Sequence, residues 1–329
     1  MSTWFTDLTG FTEESPDQVR DNIRIEGDVM TSLPNGRVMA HGLLEMPSLA
    51  ELRQRVAELP GSGGGITVRE MVGDVQALHC DAGNADALFQ VASQFNLLEM
   101  VSQDTTPEEG IAIYQFDRTQ GPACAIAAGA GTIYRNYFVP LDGQVGQSES
   151  NQVNCLADIG KSLGNEGNQL WQMRNGYALP TADGLALIAD RLAGMSEDGI
   201  DDLRCQLRVG VQWNTEVTLM NAGHKVTQVY CSALPVAYTG FPAEHWRAFA
   251  CLVLEAAYEA TICAGILNAA NTGNNQVFLT MLGGGAFGNR IEWIADAMAS
   301  VIERYRQWAL DIVIVSFRGP NESLAGRLS

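Results

Sequence analysis

The feature that most constrains this chain is the stretch of residues 276–289, QVFLTMLGGGAFGN, where an apolar run ends in three consecutive glycines. Residues 277–282 predict a strand buried on both faces, which is typical of a parallel sheet covered by helices. The glycines at 283–285 lack Cβ atoms, so their backbone N–H groups can approach an anion, and a helix beginning near Gly288 adds its positive N-terminal end. The stretch therefore predicts a phosphate-binding loop at the carboxyl end of a strand.

The same loop also satisfies the G-x-G-x-x-G pattern of dinucleotide-binding proteins, through Gly283, Gly285 and Gly288. That pattern needs an acidic residue about 20 residues later, at the end of the next strand, to hold the ribose. Here one helix and one strand remain, and Asp311 lies at the start of that strand. The context disfavours a nicotinamide or flavin site, and a purely structural glycine turn stays an alternative.

Composition limits the classes of ligand. The chain has 329 residues, 46% of them hydrophobic, which is enough for a substantial core. It carries 20 basic and 38 acidic residues, a net charge of −18, and has no basic run. Direct binding of nucleic acid or an anionic membrane through a positive surface is therefore not expected. A phosphate ligand must be held largely by backbone N–H groups and helix dipoles.

No targeting or metal signal stands out. We find no apolar run of the roughly 18 residues that a membrane helix needs, and the acidic first twenty residues lack the features of a secretory signal. We expect a cytoplasmic protein, with secretion as an effector as the alternative. The seven cysteines form no CxxC pair and the four histidines show no ligand spacing. Reduced, mostly buried thiols are expected, without a metal site or a cofactor.

The pattern along the chain predicts an α/β layered fold, because strands alternate with helices. We interpret residues 1–65 as an N-terminal extension with one helix at 48–59, and residues 66–329 as the main domain. The more polar segment 141–206, with helical patches at 154–163 and 184–192, is interpreted as an insertion. The strands are expected at 66–71, 87–92, 207–213, 226–233, 277–282 and 311–317, and the longer helices at 122–136, 243–270 and 290–308.

Residues 72–96, VGDVQALHCDAGNADALFQVASQFN, resemble the opening of macrodomains, the ADP-ribose-binding fold shared with poly(ADP-ribose) glycohydrolases. Residues 73–75 match the family's Gly-Asp-Ile, and residues 86–89 match the start of its Asp-Ala-Ile-Val-Asn-Ala-Ala-Asn strand. Gln90 and Ser93 stand where that motif has its two asparagines. The later half is also similar, because an alanine-rich helix, a strand and a glycine loop follow in the family's order.

The resemblance implies a three-layer α/β/α macrodomain-like fold with a mixed sheet, and an enzyme that acts on ADP-ribose. The segment 97–120 corresponds to the family's catalytic loop, but it lacks the glycine run and the Gln-Glu-Glu motif of poly(ADP-ribose) glycohydrolases. Some bacterial effector macrodomains that remove ADP-ribose from arginine use aspartates instead, and this chain looks closer to them. The expected activity is removal of ADP-ribose from modified protein side chains, with an arginine linkage as one option.

Cleavage of an ADP-ribosyl bond passes through an oxocarbenium-like state and needs a carboxylate to orient water or to stabilise positive charge. Asp117 is the first choice, because it precedes the expected start of the helix at 122–136. Helix capping is the alternative for this residue. Glu99, Glu108 and Glu109 are the other catalytic candidates, and a solvated surface position is the alternative for the latter two.

The ligand contacts follow from the resemblance. Asp74 matches the aspartate that accepts the adenine amino hydrogen, with a turn residue as the alternative. Gln94 and Asn96 lie near the expected ribose. Phe287 could stack on the ligand or pack in the core, and Asn289 could be a ligand donor or a helix cap. The residues expected around the diphosphate are Gly283, Gly284, Gly285, Ala286, Phe287, Gly288 and Asn289.

Two other functions stay open. The first is a reader module that binds ADP-ribose or ADP-ribosylated proteins without cleavage, because the asparagine pair and the catalytic loop are altered. The second is a different nucleotide enzyme, or a scaffold in which the glycine loop is only a turn. The expected partner is ADP-ribose or an ADP-ribosylated protein, and the oligomeric state is left open.

Overall fold

The computed structural model describes residues 2–61, 63–317 and 319. In these residues the helices are α1 (Trp4–Thr9), α2 (Pro16–Asn22), α3 (Leu49–Ala57), α4 (Val75–Cys80), α5 (Gln120–Ala127), α6 (Gly129–Tyr137), α7 (Ala157–Ser162), α8 (Ala182–Ala193), α9 (Glu197–Arg204), α10 (Ala243–Thr272) and α11 (Ile291–Arg304). The strands are β1 (Ile23–Glu26), β2 (Val29–Ser32), β3 (Val38–Ala40), β4 (Leu43–Glu45), β5 (Thr67–Val72), β6 (Leu88–Ala92), β7 (Pro140–Leu141), β8 (Gln144–Val145), β9 (Trp171–Arg174), β10 (Tyr177–Pro180), β11 (Gly210–Glu216), β12 (Lys225–Cys231), β13 (Gln276–Leu279) and β14 (Asp311–Ser316).

The main sheet has seven strands in the order β4-β11-β12-β6-β13-β14-β5. The strands β12, β6, β13, β14 and β5 are parallel neighbours, and β11 is antiparallel to both of its neighbours. In the centre, Val277 of β13 pairs with Leu88 of β6. Because these strands are parallel, their carboxyl ends meet at one edge of the sheet, where ligands of such folds bind.

Helices cover both faces of this sheet. On β6, Gln90 donates a hydrogen bond to Thr261 of α10, at 3.0 Å between Nε2 and Oγ1. The preceding side chain, Phe89, points to the other face and stacks on His79 of α4, with ring centroids 3.8 Å apart. Helices α3, α8 and α11 pack on α10, while α5 packs on α4. The mixed three-layer α/β/α fold expected from the sequence is thus confirmed.

Helix α10 is the centre of one helical layer. In the described part of the chain, one helix, Ala243–Thr272, is long and apolar enough by composition to cross a membrane, and 89% of its most apolar window is buried inside the protein. The sequence analysis, which found no such run, was wrong on this point, because small and polar residues such as Glu259 and Thr261 interrupt the stretch without making it polar overall. Its burial is that of a core helix.

The helix expected at 122–136 is two helices, α5 and α6, separated at Ala128 (φ −112°, ψ 60°). The break is held by Thr218, whose N–H donates to Ala127 O at 2.9 Å and whose Oγ1 accepts the Gly129 N–H at 2.9 Å. A Cβ at position 129 would clash with Leu8 and with Trp4. The break is therefore a consequence of tertiary contacts that periodicity does not reveal.

The segment 1–65 is packed onto the main domain. It supplies β4, the edge strand of the main sheet, and α3, which packs on α10. It also forms the three-stranded antiparallel sheet β1-β2-β3, and its Phe5 and Met30 belong to a second hydrophobic cluster with Tyr114 and Ile133. The domain boundary at residue 65 stays a prediction, and the structure adds that this segment contributes to the sheet.

The segment 141–206 contains two hairpins and three helices, and its helices α8 and α9 pack on α10. The turn of the β9–β10 hairpin approaches the loop after β6, where Phe95 N–H donates to Gly176 O at 3.0 Å. Gly176 has a φ of +79°, and a Cβ there would clash with Asn96. The hairpin therefore forms part of the wall at the carboxyl end of β6. The insertion boundaries stay a prediction.

Candidate active site

A cavity of about 150 Å³ lies at the carboxyl ends of the central strands. Its walls come from the segment 92–101 after β6, the segment 117–122 at the start of α5, and the segment 280–287 after β13. Tyr177 of the β9–β10 hairpin, and Ala233 and Tyr238 after β12, complete the wall. The cavity therefore lies where the topology of a parallel sheet places ligands.

The glycine loop after β13 forms one wall. Gly283 and Gly288 both have a φ of +71°, which is a conformation that favours glycine. A Cβ at position 283 would clash with Ala233, and one at position 288 would come within 2.8 Å of Ala237. These two positions therefore need glycine both for their backbone conformation and for close packing.

Part of the loop's hydrogen-bonding capacity is unused. The N–H groups of Gly284 and Gly288 are bonded within the loop, at 2.9 Å to Met281 O and 3.1 Å to Gly285 O. In the loop 283–288, the backbone N–H groups of four residues make no hydrogen bond to the described part of the chain. These residues are Gly283, Gly285, Ala286 and Phe287. Four free donors on neighbouring residues at a cavity wall are suited to an anion.

Tyr258 of α10 supports this loop from below. Its hydroxyl donates to Thr280 O at 2.7 Å and accepts the Leu282 N–H at 2.9 Å. Gln90 of β6 accepts the Thr280 N–H at 3.2 Å. From the sequence, Tyr258 was assigned to an apolar core stripe of the long helix and was given no function. The available signal was that a buried tyrosine hydroxyl needs a partner.

Glu99 is the most unusual group in the cavity. It lines the cavity, is only 1% exposed, and neither carboxyl oxygen has a hydrogen-bond partner in the described part of the chain. Burial raises the pKa of Glu99 to about 8; the positive charge of Arg135 opposes the rise, and the charge of Asp117 adds to it. Burial thus favours the protonated form of Glu99, which can donate a proton.

The structure fixes the position of Glu99 from three sides. The Tyr114 hydroxyl accepts the Glu99 N–H at 3.0 Å. Arg135 donates to Leu97 O at 3.1 Å, and its guanidinium lies 3.5 Å from the centre of the Tyr230 ring. Gly121 lets α5 approach closely, because a Cβ there would come within 2.9 Å of Glu99 Cγ. These contacts fix the backbone around Glu99 and limit the space for its side chain.

Asp117 also lines the cavity and is partly exposed. Its Oδ1 accepts the Thr119 N–H at 2.8 Å. Thr119 is the N-cap residue of α5 and makes no side-chain cap bond. Asp117 thus makes a local turn before the helix, and it remains in the cavity wall. Two carboxyl groups in different environments, one buried and one partly exposed, meet at the same cavity.

Gln120 joins the start of α5 to the end of β6. Its Oε1 accepts the Ala92 N–H at 2.9 Å, and its Nε2 donates to Gln90 O at 2.8 Å. These two bonds replace the pairing of a neighbouring strand and bring the helix start to the cavity. Sequence analysis had not identified this residue.

Three aromatic rings meet at the cavity. The ring centroids of Tyr177, Tyr238 and Phe287 lie 5.3 to 5.5 Å from one another, and the Tyr177 hydroxyl donates to Met100 O at 2.9 Å. The sequence analysis expected Phe287 near the ligand but missed the two tyrosines. For Tyr177, the Asn-Gly dipeptide that precedes it is a hairpin signal and could have drawn attention to this segment.

Glu108 and Glu109 lie outside the cavity wall. Both are exposed, and Glu108 accepts the Glu149 N–H at 2.8 Å. Glu109 accepts the Thr106 N–H at 3.0 Å within a capping box. The surface alternative stated for these residues describes where they lie, and the carboxyl groups on the cavity wall are those of Glu99 and Asp117.

Gln94 and Asn96 use their amides inside the protein. Gln94 lines the cavity, but its Oε1 accepts the Met100 N–H at 2.9 Å and its Nε2 donates to Met100 O at 3.3 Å. Asn96 is fully buried, donates to Gln152 at 2.9 Å and accepts the Leu98 N–H at 3.1 Å. Both amides shape the turn that leads to Glu99, and Asn96 is not part of the cavity wall.

Only some of the other residues expected to contact the ligand line the cavity. Gly283, Gly285, Ala286 and Phe287 line the cavity, whereas Gly284, Gly288 and Asn289 do not. Asn289 is neither a cavity donor nor the N-cap of α11, because its Nδ2 donates to Leu234 O at 2.8 Å. Asp74 is exposed, lies outside the cavity wall and caps α4 through the Gln76 N–H at 2.8 Å.

The charge of the wall is unusual for a phosphate site. No lysine, arginine or histidine is among the described residues that line the cavity, and the ionisable acids on its wall are Glu99 and Asp117. An anion in this cavity would be held by backbone N–H groups, as the sequence composition led us to expect.

No family model matches the chain, and no curated protein matches it in sequence. Among solved structures it is similar to the poly(ADP-ribose) glycohydrolase from Thermomonospora curvata, at 14% identity over 95% of this chain and 96% of that chain, with a TM-score of 0.46. It is also similar to the poly(ADP-ribose) glycohydrolase from Deinococcus radiodurans in complex with ADP-ribose, at 12% identity over 87% and 91%, with a TM-score of 0.45.

A further similar structure is the Thermomonospora curvata enzyme bound to the inhibitor ADP-HPD, at 13% identity over 95% of this chain and 96% of that chain, with a TM-score of 0.46. These structures bear the name of the group of proteins that the sequence motifs resemble. At these values the likeness assigns a role to no residue, so the function rests on the residues of this chain.

Proposed function

We propose that this protein is an ADP-ribosyl hydrolase that removes ADP-ribose from modified protein side chains, with arginine-linked ADP-ribose as the preferred substrate. The observation that carries the proposal is Glu99, a buried carboxyl group with no hydrogen-bond partner in the described residues and with a pKa raised to about 8 by burial. A protonated acid beside a second carboxyl group is the arrangement used to hydrolyse glycosidic bonds.

The two carboxyl groups have complementary roles in this proposal. Glu99 donates its proton to the leaving nitrogen as the bond to ribose C1 breaks, and Asp117 accepts a proton from the water that attacks C1. Asp117 also stabilises the positive charge that develops on the ribose. The products are free ADP-ribose and the unmodified side chain; Asp117 then releases the proton it took from water to solvent, and Glu99 regains its proton from solvent.

The free N–H groups of the glycine loop support the placement of the diphosphate. Gly283, Gly285, Ala286 and Phe287 offer donors on the wall of the same cavity, and the described residues of this wall include no basic side chain. A cavity of about 150 Å³ is smaller than a typical pocket for a whole drug-sized ligand. We therefore assign the cavity to the ribose and the diphosphate, with the adenosine outside it.

The charge of the protein supports an arginine linkage. The modified guanidinium group is a cation in its protonated form. The described cavity wall offers it carboxyl groups, and no lysine, arginine or histidine of this wall would repel it or compete for those carboxyl groups. The chain as a whole carries a net charge of −18, which attracts a basic protein substrate. A glutamate-linked substrate lacks the first of these advantages.

The test is to incubate the protein with arginine-linked and glutamate-linked ADP-ribosylated substrates and to follow free ADP-ribose by mass spectrometry. We expect release from the arginine-linked substrate. With Asp117→Ala, turnover should fall by about 10²-fold or more while ADP-ribose affinity changes by less than about tenfold. Glu108→Ala is the matched control, because this carboxyl group lies outside the cavity, and it should leave turnover unchanged.

The same assay decides between the hydrolase and the reader function. ADP-ribose binding without release of product from either linkage would contradict the hydrolase and leave the reader. Equal turnover by Asp117→Ala and the wild type would remove Asp117 from the mechanism. Absence of binding to ADP-ribose, ADP and NAD would favour an unrelated function.

A further inference from the structure

The N-terminal segment contacts the stretch that leads into the cavity. Glu13 accepts three hydrogen bonds: its Oε1 from the Ile111 N–H at 3.1 Å and the Tyr137 O–H at 2.6 Å, and its Oε2 from the Ala112 N–H at 2.7 Å. No salt bridge to Glu13 is found among the described residues. The carboxylate thus binds the first N–H groups of the short 310 helix Ala112–Phe116, which ends directly before Asp117.

Two further features hold this 310 helix against the N-terminal segment. Trp4 of α1 donates from its indole nitrogen to Ile111 O at 3.2 Å, and its backbone N–H donates to Gln115 at 3.3 Å. Gly110 has a φ of +87°, and a Cβ there would clash with the Glu13 carboxylate. The chain therefore turns sharply at Gly110 in order to present its N–H groups to Glu13.

The 310 helix carries both contacts that matter for the cavity. Tyr114, in its middle, accepts the Glu99 N–H, and Asp117 follows its last residue with its N–H bonded to Tyr114 O at 3.1 Å. A shift of this helix would move Asp117 and remove a support of Glu99 together. Displacements of about 1 Å at a catalytic group can lower turnover by about 10²-fold.

We propose that Glu13 is a positioning residue of the active site, which fixes both carboxyl groups of the cavity by holding the 310 helix Ala112–Phe116 from outside. This proposal rests on the proposed function for its effect on turnover. Its mechanical part, that the Glu13 carboxylate orders the segment 111–117, does not depend on any ligand. The N-terminal segment is therefore a working part of the active site, although it contributes no residue to the cavity wall.

The test is Glu13→Gln in the full chain. Glutamine keeps the size of the side chain, but its NH₂ group faces donors, so at least one of the two N–H bonds is lost. We expect turnover of the arginine-linked substrate to fall by about tenfold to 10²-fold. The dissociation constant for ADP-ribose should stay within about twofold, because the glycine loop is not touched. Amide exchange at residues 111–117 should become faster.

Two controls separate positioning from general destabilisation. Glu14→Gln changes the neighbouring exposed carboxylate and should alter neither turnover nor exchange. Tyr137→Phe removes one donor to Glu13 but keeps both backbone bonds, so turnover should fall by less than about threefold even though stability decreases. Melting temperatures of all variants show whether they are folded.

Several results would overturn the proposal. Unchanged turnover in Glu13→Gln, or equal losses of turnover and of ADP-ribose affinity, would make Glu13 a structural residue only. If the wild type releases no ADP-ribose, the proposed function fails separately, and amide exchange then decides. Unchanged exchange at 111–117 in Glu13→Gln overturns the positioning role, and faster exchange confined to this segment supports it.

Discussion

A single buried acid distinguishes this cavity. Glu99 has no hydrogen-bond partner for its carboxyl oxygens in the described residues, so its charged form loses the solvation of water and gains no hydrogen bond in exchange. Burial therefore raises the pKa of Glu99 to about 8, in spite of the charge of Arg135. Such an arrangement costs stability at neutral pH, and sites of this kind are typical of function.

The pH dependence of stability follows from this shift. The pKa of Glu99 is higher in the folded than in the unfolded state. The contribution of Glu99 protonation to the free energy of unfolding is therefore fully present below the unfolded pKa of about 4.5, and it is lost as the pH rises through about 8. The difference in the free energy of unfolding between Glu99→Gln and the wild type should shift in favour of the variant by about 3 kcal/mol as the pH rises from 5 to 8. Urea denaturation at each pH measures the gain. A constant difference between the two proteins would contradict the shifted pKa.

The residues of the site were partly predictable. Asp117, Glu99 and the glycine loop were found because acidic residues and glycine runs are visible in the sequence. Tyr177 and Glu13 were not, because both reach the site through contacts with segments more than fifty residues away. Gln94 and Asn96 were expected to contact the ligand, but their side-chain amides make hydrogen bonds inside the protein. A local motif does not reveal which amides already have partners.

At the scale of elements, the glycine loop depends on the helix beneath it. Tyr258→Phe removes the hydroxyl that joins Thr280 O and the Leu282 N–H while keeping the ring in place. We expect the dissociation constant for ADP-ribose to rise by about tenfold, which corresponds to about 1.4 kcal/mol, with turnover at saturation nearly unchanged. Isothermal titration and steady-state kinetics measure the two effects.

Tyr305→Phe is the matched control for Tyr258→Phe. Its hydroxyl is also hydrogen-bonded, to Glu259 at 2.8 Å, but Tyr305 does not line the cavity. This variant should lose stability without a change in ADP-ribose affinity. Similar affinities for Tyr258→Phe and wild type would show that the loop keeps its shape without the hydroxyl.

Glu259 of α10 joins the helices of the layer to which α10 belongs. This 3% exposed carboxylate pairs with Arg53 of α3 at 2.7 Å and with Arg304 of α11 at 2.9 Å, and it also accepts the Tyr305 hydroxyl. Glu259→Ala leaves the two arginines without this partner and should lower the free energy of unfolding by about 3 to 5 kcal/mol. Chemical denaturation gives this value.

An exposed pair provides the comparison for Glu259. Glu303 and Arg306 are both largely exposed and form a salt bridge at 2.8 Å. Glu303→Ala should change the free energy of unfolding by less than about 1 kcal/mol. Equal effects of Glu259→Ala and Glu303→Ala would contradict a joining role for Glu259.

The elements themselves were predicted best where apolar runs were long. Strands β6 and β14 and helix α10 lie close to their expected positions, since burial on both sides leaves a clear pattern. Strand β13 ends at Leu279, three residues before the expected end. The edge strand β4, the sheet β1-β2-β3 and the hairpin β9–β10 were missed because short strands carry little periodicity. The division between α5 and α6 was missed because it depends on Thr218, which lies far along the chain.

At the scale of the whole molecule, the negative charge acts in opposite directions on two ligands. A net charge of −18 repels the anion ADP-ribose but attracts a basic ADP-ribosylated protein. Raising the salt concentration from 50 to 300 mM should therefore speed the association of free ADP-ribose and lower kcat/KM for a basic arginine-linked substrate. Stopped-flow binding and steady-state kinetics measure both. Salt effects of the same sign would contradict this account.

The most direct test of the central claim is the pH dependence of ADP-ribose release from an arginine-linked substrate. For the wild type, kcat/KM should fall above about pH 8, because Glu99 must be protonated to donate to the leaving nitrogen. Glu99→Gln should be slower by about 10²-fold to 10⁴-fold and should lack this alkaline decrease. Turnover by Glu99→Gln equal to that of the wild type, with the same pH profile, would contradict an acid role for Glu99 and with it the proposed mechanism.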